Sequence, residues 1–418
     1  MASIEAIRTL PARTLDFWFD YTCPFAYLGS TRARSLARDM GAALTYRPML
    51  LGGVFRACKT PQNLFSALSP PKSAHNFADM QRWAKHFGET LRMPPNHPMR
   101  SVEALRATLA TGIDPRVIDA FYRAYWVDNL DISDREVIRK VIASAGHDAD
   151  AAMAAIDTLA VKDDLRKRTD DAIALGIFGA PAWIVDGKHL YWGQDRMMFV
   201  RGARFEESPP TTPSSATKTV DFFWDFSSPF AYLASTQMEA LAARTGATVV
   251  WHPILLGGLF RSIGAPDVPL ATFSEAKQKY TMLDVARWAE YWDVPFRFPS
   301  GFPVNSVRAL RLYLALPETH QAPYRRALFH AIWADNRDMA DEEVLVSCVG
   351  DATVARAALA KTSDDAIKNA LRANTEGAAA RGVFGVPTFI VRAAQDELYW
   401  GQDRLVLVEE ALRTTTSA

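Results

Sequence analysis

A small polar residue followed by proline, just past an apolar run, occurs twice in this sequence: Ser228-Pro229 and Cys23-Pro24. Each pair ends a stretch that reads as a strand and opens one that reads as a helix. Ser228 and Cys23 therefore take the N-cap position and the prolines the first helical position. A helix start presents unpaired N–H groups and the positive end of its dipole, and a thiolate or carboxylate placed there is stabilised. The same serine has a purely structural use, since its oxygen caps the helix. Two further segments carry suggestive groups. In Gly385-Val386-Pro387 (Gly179-Ala180-Pro181 earlier) a proline precedes an apolar strand, which suggests a cis peptide. That arrangement leaves the backbone of Val386 able to pair with an extended peptide; a mere tight turn is the alternative. Gln402-Asp403-Arg404 (Gln194-Asp195-Arg196) opens the last helix. There Asp403 is either a partner for a ligand ammonium, near a helix end that also suits a carboxylate, or simply an N-cap.

These segments come in pairs because the sequence repeats. Asp16–Ser30 (DFWFDYTCPFAYLGS) matches Asp221–Ser235 (DFFWDFSSPFAYLAS), 205 residues later, and RPMLLGGVFR matches HPILLGGLFR at the same offset. Trp83 pairs with Trp288, WVDNLDISD with WADNRDMAD, GIFGAPAWIV with GVFGVPTFIV, and YWGQDR recurs unchanged. Order kept over the whole unit marks a tandem duplication. The expected organisation is residues 1–207, a linker at 208–218 (SPPTTPSSATK) and residues 219–418. Each copy reads as a strand (Leu15–Asp20; Val220–Asp225), a helix from Pro24 or Pro229, and a second strand (Ala43–Pro48; Thr248–Pro253). A long helical segment follows to about Gly146 or Gly350, then a helix, a β-hairpin and a last helix. That grammar is α/β: a thioredoxin-like core with an α-helical insertion, twice.

Composition excludes several function classes. Lysine plus arginine equals aspartate plus glutamate at 47 each, so no basic excess points to nucleic acid. No apolar run reaches the length of a membrane span, and residues Met1–Arg13 lack a signal core, so a cytoplasmic protein is expected. The three cysteines, Cys23, Cys58 and Cys348, form no Cys-x-x-Cys pair. Cys58 and Cys348 read as buried, inert thiols. The eight histidines show no metal-ligand spacing, so no metal is implied.

Taken together, Asp-Phe-x-Ser-Pro-Phe-Ala-Tyr-Leu, Phe-Gly-x-Pro-Thr-Phe and Trp-Gly-Gln-Asp-Arg resemble the 2-hydroxychromene-2-carboxylate isomerases and kappa-class glutathione transferases, in the DsbA-like branch of the thioredoxin superfamily. The resemblance spans all of copy two and, more weakly, copy one; Lys277–Trp288 and Pro303–Arg311 fit it too. It implies glutathione as cofactor and an aromatic small-molecule substrate. Ser228 matches the catalytic serine, whose hydroxyl would favour the glutathione thiolate. Val386, before Pro387, would pair with the cysteinyl backbone. Asp403 and Arg404 lie where the γ-glutamyl end is held, and Lys279 and Asn305 look like pocket-facing polar residues. The implied reaction is thiolate addition to a conjugated double bond, rotation and elimination. A kappa-like transferase, or a DsbA-like peptide binder without turnover, are the rivals.

Copy one departs from the pattern. Cys23 replaces Ser228, and Ala74, His75 and Arg100 stand where copy two has Lys279, Tyr280 and Asn305. At a helix start Cys23 is expected to have a depressed pKa. Copy one is then a degenerate structural half, the reading preferred here, a site with altered chemistry, or a mono-thiol redox site. Because two homologous copies share one chain, an intramolecular pseudodimer is expected.

Overall fold

A computed structural model describes residues 13–63, 68–203, 218–266 and 268–414. Apart from Lys218, the expected linker lies outside them. The described chain forms two compact units. One contains residues 13–63, 80–203 and 274–276; the other contains Leu68–Asp79, 218–266, 268–273 and 277–414. Twelve residues of the first sequence copy therefore pack with the second.

Each copy carries a four-stranded mixed sheet. In copy one the order is β2-β1-β3-β4, from β1 (Arg13–Phe19), β2 (Ala42–Pro48), β3 (Ala182–Val185) and β4 (His189–Trp192). Copy two repeats it as β6-β5-β7-β8, from β5 (Thr219–Trp224), β6 (Thr248–Pro253), β7 (Thr388–Val391) and β8 (Glu397–Trp400). The first two strands of each sheet are parallel and the hairpin pairs antiparallel. β3 and β7 are buried along their whole length, as befits inner strands: β3 is apolar throughout, and β7 is apolar after Thr388, whose hydroxyl donates to the Gly385 carbonyl at 2.6 Å.

Helix α1 (Pro24–Met40) crosses from β1 to β2, and the insertion runs through α2 (Leu51–Ala57), α3 (Pro70–Phe87), α4 (Val102–Ala110), α5 (Pro115–Trp126), α6 (Arg135–Ser144) and α7 (Ala149–Ala155). Helix α8 (Leu159–Ala174) leads into the hairpin, and α9 (Met197–Arg201) closes the copy. Copy two follows the same plan with α10 (Pro229–Thr245), α11 (Leu256–Ser262), α12 (Glu275–Tyr291), α13 (Val307–Ala315), α14 (Glu318–Trp333), α15 (Glu342–Val349), α16 (Ala352–Ala360), α17 (Asp365–Ala380) and α18 (Leu405–Arg413). Both crossover helices begin with proline and end at a left-handed glycine, Gly41 at φ 61° and Gly246 at φ 69°.

Two buried groups fix the turn between β5 and α10. The Trp333 indole N–H donates to the Phe226 carbonyl at 2.8 Å. The Asp225 carboxylate, fully buried, accepts from the backbone N–H of Ser227 at 2.9 Å and of Leu256 at 2.7 Å, and from the Ser306 hydroxyl. One side chain thus ties together the strand end, α11 and the approach to α13. Trp126 and Asp20 do the same in copy one, with Tyr21, Thr22, Leu51 and Ser101. Burial pushes both carboxyls above their usual range.

No helix among the described residues is long and apolar enough to cross a membrane.

Candidate active site

Ser228 caps α10 as its position predicts: Oγ accepts from the Ala231 N–H at 3.2 Å. The same hydroxyl donates to the Val386 carbonyl at 3.3 Å and is only 4% exposed. One side chain therefore both caps α10 and ties its start to the backbone before Pro387. The Val386–Pro387 peptide is cis, as is Ala180–Pro181. Two further cis prolines, after His97 and Phe302, were not expected from the sequence.

The next link runs from Pro387 to the acidic turn. The Pro387 carbonyl accepts from the Gly401 N–H at 2.9 Å, and Thr388 pairs with Trp400 across β7 and β8. Gln402–Arg404 form a short 3-10 turn before α18. Gly401 sits at φ 106°, and a β-carbon there would lie 2.5 Å from Asp403 Oδ1, so only glycine lets the carboxylate fold back over the turn. Asp403 caps neither this turn nor α18, where Gly401 and Arg404 hold the capping positions. Its carboxylate lies 3.2 Å from Arg404 Nη1. A continuous path thus joins Ser228, Val386, Pro387, Asp403 and Arg404.

Lys279 and Asn305 are not buried as Ser228 and Val386 are. Lys279 is exposed. Asn305, also exposed, uses Oδ1 to accept from the Val307 N–H at 3.1 Å and lines a separate cleft of about 380 Å³ with Arg308 and Arg311. The lysine that is desolvated is Lys277, one half-turn earlier: its Nζ lies 4.1 Å from the centre of the Phe273 ring. Burial, followed by the charge of Lys72, lowers its pKa to about 8. Lys72, in the Leu68–Asp79 segment of the same unit, sits with Nζ 5.0 Å from the Trp400 ring centre, and burial lowers its pKa too. Lys72 and Lys277 hold equivalent positions in the repeat, and that equivalence was the signal available in the sequence.

Copy one keeps the scaffold and alters the chemistry. Cys23 takes the N-cap position without capping, and its Sγ–H donates to the Ala180 carbonyl at 3.0 Å. The expectation of a depressed pKa fails here. Burial pushes the thiol up to about 12, outweighing the N–H groups of Phe25 and Ala26 that favour the thiolate. Gly193 donates to the Pro181 carbonyl at 3.0 Å and Asp195 lies 3.1 Å from Arg196, as in copy two. Cys348 is buried as expected, but Cys58 is half-exposed.

The model of the DSBA-like thioredoxin domain matches this chain twice, over residues 14–203 and 219–413. The chain belongs to that family. Among curated relatives, the 2-hydroxychromene-2-carboxylate isomerase of Sphingobium xenophagum is 33% identical over 203 residues, covering 47% of this chain and 98% of the relative. The isomerase of the same name from Pseudomonas putida is 33% identical over 196 residues, covering 46% and 93%. Human glutathione S-transferase kappa 1 is more distant, 26% identical over 201 residues, covering 44% and 88%. A solved 2-hydroxychromene-2-carboxylate isomerase structure aligns with a TM-score of 0.41 at 30% identity, over 46% of this chain and 94% of that one. The DSBA-like relatives thus include isomerases and glutathione transferases, each the size of one copy, and this supports an enzyme.

Proposed function

We propose that this chain is a glutathione-dependent isomerase of the 2-hydroxychromene-2-carboxylate type, working at copy two on an aromatic or polycyclic compound. The observation that carries the reading is the Ser228 hydroxyl, held at the start of α10 and against the backbone of Val386. The residues fit glutathione, which needs a donor for its sulfur, an edge for its backbone, an anion for its ammonium and cations for its carboxylates. When bound, glutathione supplies the thiolate that adds to a conjugated double bond and leaves after rotation. Ser228 turns its hydroxyl from the Val386 carbonyl to the sulfur, and the N–H groups opening α10 favour negative charge beside it. Val386 offers backbone pairing to an extended peptide. Asp403 takes the ammonium, and Lys277 with Lys72 attracts a carboxylate.

The isomerases at 33% identity favour isomerisation; the kappa-class relatives favour the second reading, a transferase. Product analysis with a chromene carboxylic acid separates the two. Isomerisation that requires glutathione and leaves its concentration unchanged supports the proposal. Stoichiometric loss of glutathione into a conjugate supports the transferase, and turnover without glutathione refutes both.

A further inference from the structure

The cleft beside Asn305, of about 380 Å³, is also lined by Arg308, Arg311, Met339 and Ser363. Its volume lies in the range of small-molecule sites. Three helices begin at its wall. Val307 opens α13, α15 starts just past Met339 and Ala340, and α17 starts just past Ser363 and its N-cap Asp364. The positive ends of three helix dipoles therefore meet there. Among the described residues Arg311 makes no ion pair or hydrogen bond, and its Nε is shut off from solvent. The carboxylates of the surrounding elements are spent on other groups. Glu342 is shared by Arg308 and, at 3.6 Å, by Arg356, which also holds Glu343 at 3.0 Å. Asp338 and Asp341 accept from the backbone N–H groups of Ala340 and Glu343 at 2.8 and 2.9 Å. Asp365 pairs with Lys368 at 3.3 Å. Asp364 is exposed and does not line the cleft.

Copy one handles the equivalent arginine differently. Arg106 stands where copy two has Arg311, and its Nε is likewise shut off from solvent. Asp157 stands where copy two has Ser363, each just before the N-cap of the helix that leads to the hairpin. Asp157 pairs with Arg135 at 2.9 Å and lies within electrostatic reach of Arg106. Copy two has a neutral hydroxyl in place of that aspartate. We propose that the copy-two cleft is an anion site for a phosphate group, free or carried on a small ester. A phosphate presents enough oxygens for the Arg311 fork and for the Ser363 hydroxyl together, and the helix starts favour its charge. The site is distinct from the path through Ser228 and does not depend on the glutathione reading.

The test is calorimetric titration of the full chain with inorganic phosphate, phenyl phosphate and acetate, in sodium chloride at matched ionic strength. Both phosphates are expected to bind, and more tightly than acetate. The tighter of the two names the source, free phosphate or an ester. Arg311→Gln is expected to weaken phosphate binding by about tenfold or more, the scale of one charged hydrogen bond. Ser363→Asp, which restores the copy-one acid, is expected to do the same. If Arg311→Gln does not fold, Ser363→Asp, at an exposed position, carries the test. Wild-type affinity in either folded variant overturns the inference, as does the absence of phosphate binding above the chloride background. Acetate bound as tightly as phosphate overturns it too. So does phosphate binding that Lys277→Met abolishes and Arg311→Gln leaves intact, since the anion then sits at the buried lysines.

Discussion

Ser228 and Cys23 occupy the same place in two copies of one turn, and one heavy atom separates their chemistry. The serine hydroxyl both accepts from the helix and donates to Val386; the thiol donates to Ala180, and its burial outweighs the N–H groups of Ala26 and Phe25 that favour a thiolate. With a folded pKa near 12, Cys23 is a neutral thiol at pH 8. Its alkylation by iodoacetamide in the native chain is expected to be at least tenfold slower than after denaturation, where an ordinary thiol near ~8.5 is about one-quarter ionised at that pH. Rapid native labelling of Cys23 at pH 7, read by peptide mass mapping, contradicts this. Lys277 titrates in the opposite sense. Its charge is present below about 8 and lost above it, so glutathione binding is expected to weaken severalfold between pH 7 and 9. Lys277→Met flattens that profile in calorimetric titrations, and an unchanged slope argues against contact with the ligand. The family resemblance pointed to Lys279, and the sequence shows its charge but not that Lys277 is the desolvated neighbour. The helix turns Lys277 toward Phe273, while Lys279 is the more exposed of the two.

At the scale of elements, the strand–turn–helix grammar was legible because it rests on local rules: apolar runs, proline at the first helical position, glycine beyond the last. Strands, helices and hairpins come in the expected order along both copies. The internal bracing of the turn was less visible. Asp225 recurs as Asp20 in the other copy, but nothing local reveals that its carboxylate reaches Leu256, some thirty residues on, or that Trp333 reaches Phe226 from the far end of α14. Asp225→Ala would take the carboxylate from the backbone N–H groups of Ser227 and Leu256 at a partly buried turn, at a cost of about 1–3 kcal/mol. A fall in denaturation midpoint corresponding to that loss is expected in urea titrations of the full chain. Stability equal to wild type would mean that the turn is held by its neighbours without Asp225.

For the whole molecule, duplication was the strongest signal in the sequence, and the family match over residues 14–203 and 219–413 follows it. What the repeat could not foretell is that Leu68–Asp79 packs with the second copy's fold, a consequence of contacts hundreds of residues apart such as Asp79 with Arg404. Nor does similarity between copies say which carries chemistry; in the proposed reading that turns on the hydroxyl of Ser228 against the thiol of Cys23. The central claim is that glutathione-dependent turnover resides at Ser228. Its most direct test is the initial rate of chromene-carboxylate isomerisation at saturating glutathione for wild type, Ser228→Ala and Cys23→Ala. The account predicts a loss of roughly ten- to a thousandfold for Ser228→Ala, the scale of one charge-stabilising donor, and a near-wild-type rate for Cys23→Ala. Full activity in Ser228→Ala, or its abolition in Cys23→Ala, would contradict it.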